Sequence, residues 1–152
     1  MQSPLRTKAG QLSGFRTGAR EAAVLEFSSQ IQSVLYDFSV DGGAIGTISF
    51  GVSLPENSVI KGIYADVQTA STSGGAATYQ LQAGSSNLMA ATAFDSATAG
   101  INASGVLSIP INVSAPFDAL KLSVLSELKL AIAGAALTAG KVRFAIDYYI
   151  SK

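Results

Sequence analysis

Beyond Tyr36, apolar and polar residues alternate with a period of two over most of the chain, the spacing of strands that bury one face. Phe38 and Val40 alternate with Asp37 and Ser39, and Asp41-Gly42-Gly43 reads as the turn that follows. Ile48, Phe50, Val52 and Leu54 form the next stripe. It ends at Leu54-Pro55-Glu56-Asn57-Ser58, where Pro presets φ and Asn tolerates left-handed backbone. A long strand is predicted from Val59 to Thr69, with Ala76 to Ala83 as its hairpin partner across Ser71 to Gly75. Residues Val106 to Val113 alternate again, and Pro110 inside them predicts an edge strand or a bulge. Leu120 to Val124 and Glu127 to Ala133 follow, with Leu128, Leu130 and Ile132 directed inward; Ala139-Gly140 reads as a turn. The clearest segment is Lys141 to Ile150, where Val142, Phe144, Ile146, Tyr148 and Ile150 alternate with more polar positions.

Two stretches resist the pattern. Ala22 to Leu35 fits neither a helical nor a strand template. Gly84 to Gly105 is a Ser/Ala/Gly/Asn-rich segment with Leu88, Met89, Phe94 and Ile101 as its apolar anchors and one short strand expected near Leu88 to Phe94. About eight strands without crossover helices predict an all-β fold: a two-sheet antiparallel β-sandwich, with the strand count of a jelly roll. An immunoglobulin-type sandwich is the alternative topology.

Composition changes the functional picture more than the structural one. The 152 residues contain no His, no Cys and no Trp, so imidazole bases, thiolate nucleophiles, disulfides and soft metal sites are excluded. Eight acidic residues from Asp37 onward are dispersed singly among strands and turns, which nominates no carboxylate pair for glycoside hydrolysis. Gly42-Gly43-Ala44-Ile45-Gly46 is followed by neither a helix nor the Lys of a phosphate loop. No cofactor, no metal and no catalytic residue is therefore expected. Asn102-Ala103-Ser104 and Asn112-Val113-Ser114 match the glycosylation acceptor pattern, a short motif that arises readily by coincidence.

Charge is neutral in sum and uneven along the chain. Residues 1–20 carry Arg6, Lys8, Arg16 and Arg20 and no acid, so the remaining 132 residues sum to −4. With Pro4, Gly10, Gly14 and Gly18 and no apolar period, residues 1–23 are expected to be an extended basic arm and residues 24–152 the sandwich domain. Four charges without interleaved aromatics do not suit specific nucleic-acid binding; docking on an acidic protein surface suits them better. No leader and no membrane span is read, because no apolar stretch approaches the ~20 residues needed. Tyr64, Tyr79, Tyr148 and Tyr149 invite comparison with a sugar-binding face, though strand packing accounts for such residues more simply.

Several turns carry a resemblance. Leu54-Pro55-Glu56-Asn57-Ser58-Val59-Ile60, then Val67 to Gly75, then Ala133-Gly134-Ala135-Ala136-Leu137-Thr138-Ala139-Gly140-Lys141 leading to Tyr148-Tyr149, resemble segments of tailed bacteriophage capsid decoration (cement) and head-fibre proteins. The similarity covers about residues 45 to 150, and residues 1–35 have no counterpart in it. It implies a β-sandwich, usually a jelly roll, that assembles as a homotrimer on the outer surface of the virion capsid against the major capsid protein. Arg6, Lys8, Arg16 and Arg20 would then be capsid contacts, and Tyr64, Phe94 and Tyr149 oligomer or capsid contacts. A receptor- or carbohydrate-binding module of a head or tail fibre is the alternative function.

Overall fold

The C-terminal alternation lies at the centre of the architecture. In the computed structural model, which describes residues 28–113 and 120–151, β9 (Leu137–Ile150) pairs antiparallel with β1 (Gln30–Asp37) on one side and β3 (Ser58–Ser73) on the other. Strand β7 (Gly105–Ile109) adds to β3, so the first sheet runs β1-β9-β3-β7. The second sheet runs β2-β8-β4-β5, built from β2 (Gly46–Leu54), β8 (Ser126–Ala133), β4 (Thr78–Ala83) and β5 (Ser86–Asn87), with β6 (Thr92–Ala93) also paired to β4.

This order identifies the sandwich as a jelly roll. First and last strands are neighbours, and among the described strands every connection except those joining β4, β5 and β6 crosses from one sheet to the other, as two interlocked Greek keys require. Val142, Phe144, Ile146 and Tyr148 of β9 face Leu128, Leu130 and Ile132 of β8 and Tyr79, Leu81 and Ala83 of β4 in one continuous core. Tyr79 and Phe144 bring their rings together from the two sheets, with centroids 6.2 Å apart.

Several sequence expectations are corrected. Phe38 to Asp41 is a single helical turn (α1) and not a strand: Asp37 caps it by accepting from the Ser39 backbone N–H, a local bond that outcompetes the period of two. Val59–Thr69 and Ala76–Ala83 are not hairpin partners. The two belong to opposite sheets, and loop length alone does not distinguish a hairpin from a crossover between layers. Ala139-Gly140 is not a turn; the reversal lies at Gly134-Ala135, where Gly134 takes φ 78° with the Ala76 carbonyl against its α-carbon, and β9 continues through Gly140. Leu120 to Val124 contributes a lone bridge, Lys121 to Val59, and no strand. The Gly84–Gly105 segment forms two short strands where one is expected: Thr92–Ala93 lies within the expected Leu88 to Phe94, Ser86–Asn87 precedes it, and Leu88 and Met89 are wholly buried. Two local expectations hold. Asn57 has φ 64° in the turn after Pro55, and β7 lies at a sheet edge, although it ends at Ile109 and does not run through Pro110 to Val113 as the alternation predicts, because Pro110 has no N–H to continue the ladder.

Candidate functional site

The two sheets turn chemically different faces outward. On the second sheet, Gln80, Gln82 and Asn87 satisfy one another: the Gln82 amide donates to Gln80 Oε1 at 3.3 Å and to Asn87 Oδ1 at 2.9 Å, and the Gln80 amide donates to the Met89 carbonyl at 3.0 Å. Ser49 on β2 donates to the Glu127 carboxylate on β8. These side chains spend their polar groups on one another and on the adjacent backbone.

The first sheet presents rows of mixed character, fixed by strand register. One row reads Ser33–Ala145–Tyr64–Ser108 and the next Leu35–Arg143–Asp66–Val106, with Ile31–Asp147–Gly62 on the other side of Tyr64. Ile31 is 69% exposed, Val106 77% and Tyr64 44%, so apolar side chains stand in water along a face whose alternate residues fill the core. The Tyr64 ring lies over Gly62: a β-carbon there would be 3.0 Å from its hydroxyl, so glycine gives the ring a flat seat. Tyr149 projects from the same face of β9, two positions beyond Asp147. Phe94 is elsewhere, partly buried against the core between β6 and the Ile101 turn. The structure therefore brings two of the three expected contact residues onto one face. Arg6, Lys8, Arg16 and Arg20 lie outside the described residues.

The outward placement of Ile31, Leu35 and Val106 is not legible from the alternation alone. The signal was present in Gln30 to Tyr36, where apolar residues occupy both phases of the alternation: Val34 and Tyr36 inward, Ile31 and Leu35 outward.

Catalytic chemistry finds little footing among the described residues. An open depression of about 330 Å³ at the α1 end is lined by Asp37, Phe38, Ser39, Thr69, Ala139, Gly140 and Lys141. Its carboxylate is fully engaged: Oδ1 of Asp37 accepts from the Ser39 hydroxyl and backbone N–H at 2.6 and 3.0 Å, and Oδ2 meets Lys141 Nζ at 3.0 Å. These bonds, those from Ser39 foremost, hold the Asp37 carboxyl down to about 2, far from the value a general acid or base needs near neutrality. No group of three or more metal-ligating acidic side chains occurs among the described residues. Likewise, no helix among them is long and apolar enough to cross a membrane.

No protein-family model and no curated protein matches the chain. Solved structures do. A chain in the acidic stable capsid structure of Helicobacter pylori bacteriophage KHP30 superposes with a TM-score of 0.56 at 9% identity, covering 83% of this chain and 91% of that one. A chain in the capsid asymmetric unit of cyanophage Pam1 superposes with a TM-score of 0.55 at 17% identity, covering 83% and 87%. The jelly roll is shared with both. At these identities the likeness establishes fold, and its reach is nearly the whole length of the other chains.

Proposed function

We propose that this protein is a structural component of a bacteriophage virion, and more narrowly a decoration or cement protein on the outer surface of the capsid. The observation that carries this is the shared jelly roll: chains from two phage capsid structures are matched over 91% and 87% of their own lengths, so each is little more than this one sandwich. The turn motifs that resemble decoration proteins support the same function from sequence.

The physical logic is adhesion, with no enzymatic step. A cement protein needs complementary area repeated over a lattice, where many modest contacts add up to strong retention. Exposed Ile31, Tyr64 and Val106, one in each of three neighbouring rows of this face, supply area that water does not favour. Residues 1–20, with a charge of +4 against −4 for the rest, supply an arm suited to an acidic neighbour, here the major capsid protein. The copies assemble as a homotrimer, as the sequence resemblance implies.

The test is reconstitution. Purified protein added to particles that lack it is expected to saturate a fixed set of outer sites and to raise the temperature at which the shell releases DNA. Failure to bind such particles overturns the proposal; occupancy of a few tens of copies confined to a tail or fibre favours the receptor-binding alternative.

A further inference from the structure

The outer edge of β1 differs from the other edges of the sandwich. Strand edges invite pairing with other chains, and proteins usually guard them. Edge strand β2 is interrupted by a bulge between Ser49 and Ser53, with Gly51 at φ 71°. Strand β7 is five residues long and ends before Pro110, and β5 and β6 have two residues each. Strand β1 pairs in unbroken register with β9 along all eight residues, has no Pro, Gly or bulge, and has no charge before Asp37. Among the described elements nothing pairs with its other side.

Which groups this edge offers follows from two hydrogen bonds. The Asp37 N–H donates to the Asp41 carboxylate at 2.9 Å, and the Ser33 carbonyl accepts from the Gln32 side chain at 3.1 Å. Both backbone groups therefore point away from β9. By the alternation of an antiparallel ladder, the N–H and C=O of Ile31, Ser33 and Leu35 point away as well.

We infer that β1 is a self-pairing edge, joined antiparallel by β1 of a second copy about a two-fold axis at Ser33. In that register Ile31, Ser33 and Leu35 exchange backbone bonds with Leu35, Ser33 and Ile31 of the second copy. Exposed Ile31 then packs beside Leu35, with small Ser33 residues meeting at the axis. The ends are complementary in charge. The same register sets Asp37 opposite Ser29 of the second copy, and the Lys61 ammonium donates to the Ser29 hydroxyl, so each Asp37 gains a second cation. Asp147, beside Ile31, shares its row with Arg143 of the second copy, and no like charges are opposed. Such an isologous contact has two-fold symmetry, so it joins one assembly to the next and does not close a ring of three. A strand pair alone falls below the ~1,200 Å² of a stable complex, so the contact is weak in solution and strong where copies are held side by side.

The chain has no Cys, so Ser33→Cys carries a single thiol whose symmetry mate would stand at a Cα separation of about 5.5 Å, within disulfide range. Under mild oxidation of the full chain, S33C is expected to form a disulfide dimer roughly tenfold faster than Ser108→Cys, an exposed control on β7. Adding Ile31→Lys to S33C is expected to abolish that advantage, because it replaces the apolar Ile31–Leu35 contact with an ammonium that must lose water against Leu35 of the second copy; the exposure of Ile31, and Asp147 beside it, leave the fold intact, checked by an unchanged circular dichroism spectrum. Equal cross-linking of S33C and S108C, or an unaltered rate in the I31K/S33C protein, overturns the inference. Neither readout involves a capsid, so its failure is distinct from failure of the decoration function.

Discussion

Lys141 on β9 and Asp37 on β1 hold their charged groups 3.0 Å apart at the last registered pair between the first and last strands. With the Ser39 hydrogen bonds foremost, the contact lowers the Asp37 pKa from 3.8 to about 2. A carboxyl depressed in the folded state stabilises it above the unfolded value, and that contribution is lost as pH falls through the folded one. Melting temperature is expected to drop between pH 4 and pH 2, and Asp37→Asn to flatten that part of the profile. Because the pair is exposed to solvent, salt is expected to diminish the effect. An identical profile in the Asn variant would contradict this.

Tyrosine ionisation governs the alkaline limit. Burial, followed by Asp41 and Asp37, raises Tyr36 to about 12, and burial raises Tyr79 further. The neutral phenols stabilise the fold below pH 10, and that stability disappears as pH rises toward 12. Tyrosinate absorbance from these two residues is expected to appear together with unfolding. Tyr79→Phe leaves the Ala99 carbonyl without its buried donor and is expected to cost roughly 1–3 kcal/mol in urea denaturation.

Gly140 carries strand β9 past Ser71 at φ 140°, where a β-carbon would stand 2.3 Å from the Ser71 hydroxyl and 3.1 Å from its α-carbon. Gly140→Ala is expected to destabilise by roughly 1–3 kcal/mol. The Ser71 hydroxyl is buried without a hydrogen-bond partner, so Ser71→Ala is expected to be neutral or slightly stabilising, and to relieve part of the Gly140→Ala penalty in the double variant. Additive penalties would show that the two positions are not in contact.

How much of this was legible in the sequence depends on the range of the interaction responsible. Strand β9 was read nearly correctly because its period of two is imposed by burial on one face, a signal carried by each residue. The sheet partner of β3 was not legible. Pairing with β9, some 75 residues away, is chosen by the whole core, whereas Ser71 to Gly75 offers the same turn chemistry to a hairpin or a crossover. The helical turn after Asp37 was missed because one capping bond outweighed two alternating apolar residues. At the candidate site the sheet places Tyr64 and Tyr149, two of the contacts expected from the resemblance, on one face; Phe94, the third, packs against the core because its neighbours in a Gly/Ala-rich segment leave it as an anchor.

Residues 1–23 provide a test of the arm. Deleting them, or changing Arg6, Lys8, Arg16 and Arg20 together to Ala, is expected to leave a folded oligomer that binds the shell more weakly, with a flatter dependence on salt. Occupancy unchanged by either variant would remove the arm from the binding surface.

An electron-microscopy map of the intact particle that carries this protein decides whether it decorates the shell. The jelly roll is expected in many symmetry-related copies on the outer face of the shell, seated over junctions between major capsid proteins, with the sheet of β1, β9, β3 and β7 engaged in contacts. Its absence from the shell, or density confined to a tail or fibre, would rule out the decoration role.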